Sequence, residues 1–295
     1  MIELFGVPVA VLAGQVLLGL INGSFYALLS LGLAIIFGML NVINFAHGAF
    51  YMLGGFVTWM VFSYLGVGYW PGLLIAPIAV GLIGAVSERL LLRHLYRVDH
   101  LYSLLFTFGA ALALEGLFRY VYGSAGKPYP LPPELSGGYN LGFMYLPLYR
   151  IWVIVIALVV CFGTWFAIER TRLGAYLRAA TENPSLVQAF GINVPFLLTL
   201  TYAFCVGLAG FAGALAAPIY QVSPGMGANF LIIVFAVVVI GGMGSIVGTI
   251  LTGLALGVIE GLTKVFFPTA SAITVFIIMI LVLMVRPNGL FGRER

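Results

Sequence analysis

The chain alternates long apolar runs with short polar stretches over its whole length. A membrane-spanning helix needs about 20 mostly apolar residues, and the first such run extends from about Val9 to Leu40. Later runs cover residues 49–65, 72–92, 101–122, 151–168, 196–220, 246–263 and 270–285. A shorter run, 230–240, ends at the glycine-rich stretch Gly241–Ser245. This pattern predicts an all-α, polytopic integral membrane protein with about eight or nine transmembrane helices, some of them broken or re-entrant.

The composition favours the same class of protein. Of the 295 residues, 62% are hydrophobic and only 7% are charged, whereas soluble domains average about 45–50% apolar and about 25% charged residues. We interpret residues 1–295 as a single transmembrane domain. The net charge of +4 does not require a nucleic-acid partner, because membrane topology accounts for the basic residues. Cys161 and Cys205 both fall within apolar runs, which predicts neither a disulfide framework nor a metal site.

The distribution of basic residues predicts the orientation, because short cytoplasmic loops are enriched in lysine and arginine. Nine of the 13 basic residues fall on one predicted side of the membrane: Arg89, Arg93, Arg97, Arg170, Arg172, Arg178, Arg286, Arg293 and Arg295. The other side holds Arg119, Lys127, Arg150 and Lys264. We therefore expect the C-terminus and residues 169–195 in the cytoplasm, with the N-terminus and the loop 123–150 outside. An odd number of crossings follows, either nine spans or seven plus a re-entrant pair hinged at Gly241–Ser245.

The polar stretch 169–195 carries the pattern of a short capped helix. Asn183 is a good N-cap, Pro184 suits the first helical position, and Gly191 can close the helix in a left-handed conformation. The apolar side of this helix would be formed by Leu186, Val187 and Phe190. The pattern indicates a helix that docks onto a partner outside the membrane; a solvated loop is the alternative.

Several polar or small residues interrupt the apolar runs and are candidates for a substrate pathway. They are Asn22, Ser24, Asn41, Asn44, His47, Gly48, Gly242 and Ser245. Asn22 and Ser24 could instead hydrogen-bond between packed helices. The stretch 41–48 is either a hinge lining the pathway, since non-helical backbone at membrane depth must be buried or face a cavity, or a plain cytoplasmic turn. Gly241–Ser245 is either a gate or a tight helix contact.

One long segment identifies a family. The sequence NGSFYALLSLGLAIIFGMLNVINFAHGAFYMLGGF, residues 22–56, closely resembles the permease subunits of branched-chain amino acid ABC importers. The stretch 169–195 resembles the cytoplasmic motif of that family in Gly174, Arg178-Ala179, Asn183, Ala189 and Gly191-Ile192-Asn193. Residues 241–248 and 286–292 are similar to its late glycine motif and its tail. The length resembles the shorter, H-type permease subunit.

The resemblance implies a subunit that is embedded in the lipid of the bacterial inner membrane and translocates branched-chain or related amino acids across it. Its partners would be a second homologous permease subunit, two ATP-binding-cassette ATPase subunits and a periplasmic substrate-binding protein. The chain would not be an enzyme and would hold no cofactor, since ATP would bind to the ATPases; it has no G-x-x-x-x-G-K-[ST] motif. The residues implied in ATPase coupling are Arg178, Glu182, Asn183, Pro184, Leu186, Val187, Ala189, Phe190 and Gly191.

Three alternatives remain at this level. Urea and amide importers share these motifs, so the substrate stays open. A secondary carrier or channel would usually carry unpaired intramembrane charges, whereas Glu115 and Glu260 each have a cation four residues later, Arg119 and Lys264. A serine hydrolase using Ser245 with His47 would lack the G-x-S-x-G arrangement.

Overall fold

The helices of the protein begin and end close to the boundaries of the apolar runs. In the computed structural model, residues 3–4, 7–40, 42–96 and 100–292 are described. Within these ranges the helices are α1 Val9–Ile35, α2 His47–Leu65, α3 Tyr69–Ser87, α4 Arg93–Leu95, α5 His100–Tyr122, α6 Leu148–Glu169, α7 Arg172–Glu182, α8 Pro184–Ala189, α9 Val194–Ala216, α10 Met226–Gly241, α11 Ile246–Phe266 and α12 Ser271–Val285.

Eight helical segments of the described chain are long and apolar enough to cross a membrane. Two of them are extended by π-helical turns: Ile36–Leu40 continues α1, and Glu88–Leu92 joins α3 to α4. The first segment covers Val9–Leu40. The length of its apolar run allowed either a tilted helix or a break near residues 22–24, and the helix is continuous there. α10 is shorter, with 16 residues. The prediction of an all-α polytopic membrane protein with eight or nine membrane helices is confirmed.

The departures from pure helix are small. β1 Glu3–Leu4 pairs with β2 Val7–Pro8, and β3 Gly138–Asn140 pairs with β4 Tyr145–Pro147, both antiparallel. Short 3₁₀ turns cover Pro133–Leu135 and Pro268–Ala270. The loop expected over 123–150 thus contains a hairpin, and α6 already begins at Leu148. The three-residue strands are too short to show an alternating pattern in the sequence.

Glycine allows the central helices to pack with their backbones nearly touching. α1 and α11 run antiparallel, and a Cβ on Gly19 or Gly23 would lie within 3 Å of the α11 backbone. α9 packs against α2 in the same way, because a Cβ on Gly54 would lie 2.0 Å from the carbonyl oxygen of Gly210. Membrane helices associate through such small-residue seams because lipid is as apolar as their side chains. These contacts form the centre of the bundle.

The connections between helices cluster at two opposite ends of the bundle. At the N-terminal end, where α1 begins, Lys127 pairs with Val222 and the side chain of Met144 reaches Gly14. At the α8 end, Thr181 hydrogen-bonds the carbonyl of Met39. The described basic residues divide between these ends as the two predicted groups do, and Arg97, Arg293 and Arg295 lie outside the described residues. α1 begins and α12 finishes at opposite ends, which requires an odd number of crossings.

Candidate translocation and coupling sites

The chain re-enters the bundle between α1 and α2. The Nε2 atom of His47, the first residue of α2, lies 3.0 Å from the carbonyl oxygen of Leu29. The same ring packs against Gly32, which precedes Leu40 by eight residues, or about 12 Å of helix. Residues 42–46 therefore return into the bundle, and we call them the re-entrant segment. The alternative of a plain turn at the cytoplasmic surface is wrong. Asn41 lies outside the described residues.

The polar groups of the re-entrant segment are satisfied by neighbouring helices. The Asn44 side chain is buried; its Nδ2 donates to the hydroxyl of Tyr202 on α9 at 3.1 Å, and its Oδ1 accepts from the Ala46 amide at 3.1 Å. The hydroxyl of Thr107 on α5 accepts from the Phe45 amide at 3.1 Å and lies 3.2 Å from the Ile43 carbonyl. Irregular backbone at membrane depth needs such partners, because lipid supplies none.

His47 and Gly48 fix the start of α2 in different ways. The His47 ring is fully buried, and its contact with a carbonyl oxygen requires Nε2 to carry the proton. Its Nδ1 atom has no hydrogen-bond partner among the described residues. Gly48 meets the first turn of α10, where a Cβ would lie 2.7 Å from the carbonyl oxygen of Gly227. The starts of α2 and α10 therefore meet inside the bundle.

The two polar residues predicted within α1 differ in their contacts. Ser24 is buried and donates to the carbonyl of Leu20, within its own helix, at 2.8 Å. Asn22 reaches across the bundle, where its Oδ1 accepts from the hydroxyl of Tyr220 at 3.0 Å. Asn22 therefore forms a cross-helix contact near the N-terminal end, whereas the hydroxyl of Ser24 is used locally.

An aromatic and polar cluster adjoins Asn22 and was missed by the sequence analysis. The hydroxyl of Tyr26 donates to Glu260 at 2.7 Å, and Lys264 lies 2.6 Å from the other carboxylate oxygen. The ring of Phe230 contacts those of three tyrosines, Tyr26, Tyr51 and Tyr220. The pairing of Glu260 with Lys264 was expected, but the hydrogen bond from Tyr26, 234 positions away from Glu260, was not. Tyrosines within otherwise apolar runs were the available signal.

The glycine motif forms a tight turn at the α8 end of the bundle. Gly242 and Gly244 have φ angles of +100° and +89°, which glycine adopts without strain. The hydroxyl of Ser245 caps α11 by accepting from the Gly248 amide at 3.1 Å. Because α11 then crosses the bundle, the motif is not the tip of a re-entrant pair. The C-terminal tail covers it, with the Phe291 amide donating to the carbonyl of Gly241 at 3.2 Å.

The predicted capped helix is present as α8. The Oδ1 atom of Asn183 accepts from the Leu186 amide at 3.0 Å, and Gly191 has a φ angle of +83°. Leu186 and Phe190, one turn apart, are 54% and 77% exposed. Val187 is only 7% exposed because it packs with Ala180 and Val194. The expectation that Val187 faces a partner is therefore wrong: it attaches α8 to α7 and α9.

Two of the other predicted coupling residues, Arg178 and Glu182, line a cleft at the α8 end. Arg178 lies 3.5 Å from the carboxylate of Glu169 and also donates to the Ile168 carbonyl at 3.3 Å. Glu182 and Ala189 are exposed. The cleft of about 440 Å³ is lined by Glu169, Arg178, Glu182 and the Met243–Ser245 turn. The end of α6, α7 and the glycine turn therefore share one solvent-facing surface.

Glu88 is a buried acid that the sequence analysis missed. Its carboxylate is buried in the π-helical turn after α3 and accepts from the hydroxyl of Thr199 on α9. No described basic residue lies within ion-pair distance of it. The expected pairs of Glu115 with Arg119 and Glu260 with Lys264 are both present, so Glu88 differs from these two acids.

A bundle of membrane-crossing helices with a buried re-entrant segment and an exposed capped helix at one end defines a membrane transport subunit. The profile of the family described as "Branched-chain amino acid transport system / permease component" matches residues 15–285. The chain belongs to this family.

Individual relatives match over most of their length. BraD of Pseudomonas aeruginosa, a high-affinity branched-chain amino acid transport system permease protein, is 32% identical over 292 residues, covering 95% of both chains. LivH of Escherichia coli is 29% identical over 296 residues, also with 95% of both chains covered. LivM of Escherichia coli is 28% identical over 92% of this chain and 68% of its own. No solved structure matches.

Proposed function

We propose that the chain is the H-type permease subunit of an ATP-driven importer of branched-chain amino acids. The observation that carries this proposal is the path from α8 to the re-entrant segment. α9 begins at Val194, after a four-residue connection from α8, and its Tyr202 accepts a hydrogen bond from Asn44. The relatives described above are branched-chain amino acid permeases, which favours this substrate over urea or amides.

The proposed assembly contains four further subunits. LivH and LivM, two permeases of Escherichia coli, both resemble this chain, which supports pairing with a second homologous permease. Membership of the family supports two ATPase subunits and a periplasmic binding protein. ATP would bind and react on the ATPases, so this chain would be non-catalytic and hold no cofactor.

The subunit would lie in the bacterial inner membrane with its α8 end in the cytoplasm. Six described arginines mark that end, namely Arg89, Arg93, Arg170, Arg172, Arg178 and Arg286. The loop 123–150 would be periplasmic and the stretch 169–195 cytoplasmic. The C-terminus would then lie inside and the N-terminus outside.

The mechanism we propose begins with movement of α8 by the ATPases. Leu186 and Phe190 would seat in an ATPase groove, and Val187 would carry the movement to α9 through its contact with Val194. Because α9 is a continuous helix, Tyr202 would move with it and displace Asn44. Thr199, one turn before Tyr202 on α9, would move against Glu88. The re-entrant segment would thereby open the path.

The pathway residues we propose are those of the re-entrant segment and the cross-helix contact nearest the outside. They are Asn22, Asn44, His47 and Gly48. Ser24 bonds within its own helix, while Gly242 and Ser245 build the turn at the α8 end, so we assign these three to packing.

Transport by the reconstituted complex tests this proposal. The chain, its second permease and both ATPases would be reconstituted in liposomes, with binding protein and radiolabelled leucine or urea supplied outside. We expect ATP-dependent accumulation of leucine and none of urea. Urea accumulation would contradict the substrate, and leucine counterflow by the chain without any ATPase would instead indicate a secondary carrier.

A further inference from the structure

A groove of about 480 Å³ opens between the end of α3 and the start of α9. It lies at the α8 end of the bundle. Its walls combine two kinds of side chain. The apolar ones are Leu82, Ala85, Val86, Pro195 and Phe196, and the polar or charged ones are Arg89, Arg93, Asn193 and Thr199. The groove is therefore amphipathic along its length.

The order of these residues along α3 places the apolar part inside the membrane. Leu82, Val86, Arg89 and Arg93 recur at spacings of four, three and four, so they share one helical face. Leu82 and Val86 are 63% and 56% exposed on a helix that is apolar enough to cross a membrane. Phe196, on the facing helix, is 63% exposed. Such exposed apolar side chains are stable in the hydrocarbon core of a bilayer. Arg89 and Arg93 therefore lie where the helical segment emerges from that core.

The charged end of the groove is positive. Among the described residues, neither Arg89 nor Arg93 has an acidic partner within ion-pair distance. The start of α9 adds the partial positive charge of a helix N-terminus. The carboxylate of Glu88 is fully buried behind Thr199 and does not line the groove. Counted together, two arginines and one buried carboxylate still leave a net positive charge.

We infer that this groove binds an anionic phospholipid of the surrounding leaflet. The phosphate would sit between Arg89 and Arg93, where guanidinium groups suit phosphate oxygens. One acyl chain would lie along Leu82, Val86 and Phe196. Basic pockets between transmembrane helices on the cytoplasmic side commonly take such headgroups. The inference does not depend on which solute is transported.

Native mass spectrometry of the full chain titrated with phosphatidylglycerol tests the site. Phosphatidylcholine with the same acyl chains is the reference lipid. We expect a preference for phosphatidylglycerol that falls roughly 10- to 30-fold in the double variant Arg89→Gln/Arg93→Gln, because each arginine near a membrane surface contributes about fivefold or slightly less. The charge-matched control Arg170→Gln/Arg172→Gln removes two exposed arginines of the same end from outside the groove. It should keep the wild-type preference.

A second variant tells whether the ligand of the groove is a lipid or free phosphate. Val86→Trp would fill the apolar wall and leave both arginines in place, so phosphatidylglycerol binding should fall while inorganic phosphate has little effect. Unchanged thermal melting of each variant would show that it is folded. An unchanged lipid preference in the double variant, or an equal loss in its control, would overturn the inference. The inference would also be overturned if millimolar phosphate displaced the lipid and Val86→Trp had no effect on lipid binding. Loss of ATPase co-purification with unchanged lipid binding would assign the arginines to the ATPase.

Discussion

The two sides of α8 should respond oppositely to the same substitution. Val187 is buried against α7 and α9, whereas Phe190 projects away from the chain and is 77% exposed. We expect Phe190→Asp to abolish ATPase co-purification while leaving the permease as stable as the wild type. Val187→Asp should instead reduce the stability of the permease itself, since its carboxylate would replace an apolar contact between three helices.

The magnitudes follow from where each carboxylate would lie. A substitution at an exposed position usually changes folding stability by about 0.5 kcal/mol or less, so Phe190→Asp should leave the melting temperature almost unchanged. In a docked state the same carboxylate would be desolvated without a partner, which costs about 3 kcal/mol or more. Each 1.4 kcal/mol is about tenfold in affinity, so binding of the ATPase should weaken about 100-fold or more. Val187→Asp would impose a similar cost on folding instead.

The assay combines pull-down of the ATPase on tagged permease with thermal melting of the permease alone. Gln188→Asp is the matched control, because Gln188 is exposed on α8 but does not share the face of Leu186 and Phe190. It should retain co-purification. Wild-type stoichiometry and uptake with Phe190→Asp would refute the docking face. Normal melting of Val187→Asp would refute the internal role of that side chain.

Three further changes test the packing, the re-entrant segment and the orientation. Gly54→Leu should lower the melting temperature, because its Cβ would lie 2.0 Å from a carbonyl of α9 and overpacking costs about 1–3 kcal/mol. Gly109→Leu is the control, since that glycine faces open space and its substitution should not lower the melting temperature. Equal melting temperatures of the two variants would contradict the close packing of α2 against α9. Asn44→Leu should reduce uptake more than membrane abundance, and an equal fall in both would indicate a purely structural role. A cysteine replacing Lys127 should react with an impermeant thiol reagent added outside, whereas one replacing Arg178 should not; the opposite pattern would reverse the orientation.

The membrane helices could be predicted because each apolar run must by itself exceed the thickness of the bilayer. The capping of α8 could also be predicted, since Asn183, Pro184 and Gly191 act within a few residues of one another. Local rules of this kind need no knowledge of the fold. They predicted the bounds Val9 and Leu40 of the first segment, though not whether it breaks within, and the two ends of α8 to within one residue.

The direction in which a side chain points could not be predicted from the same rules. Val187 in α8 and Phe190 at its C-terminal end are both apolar, and only the position of α7 and α9 decides which is buried. Partners distant in sequence were missed for the same reason. Asn44 and Tyr202 are 158 positions apart, and Glu88 and Thr199 are 111 apart. Each pair depends on how α9 packs against two earlier parts of the chain.

Polarity within an apolar run is therefore a weak guide to a translocation path. Ser24 is polar and buried, yet its hydroxyl donates a hydrogen bond to a carbonyl of its own helix, and the hydroxyl of Ser245 only caps α11. A buried polar atom without a hydrogen bond costs about 1–3 kcal/mol, and native proteins keep few of them. The Nδ1 atom of His47 is one such atom among the described residues. It lies next to the re-entrant segment, which would shift on movement of α8, so a rearranged state could satisfy it at the expense of contacts formed here.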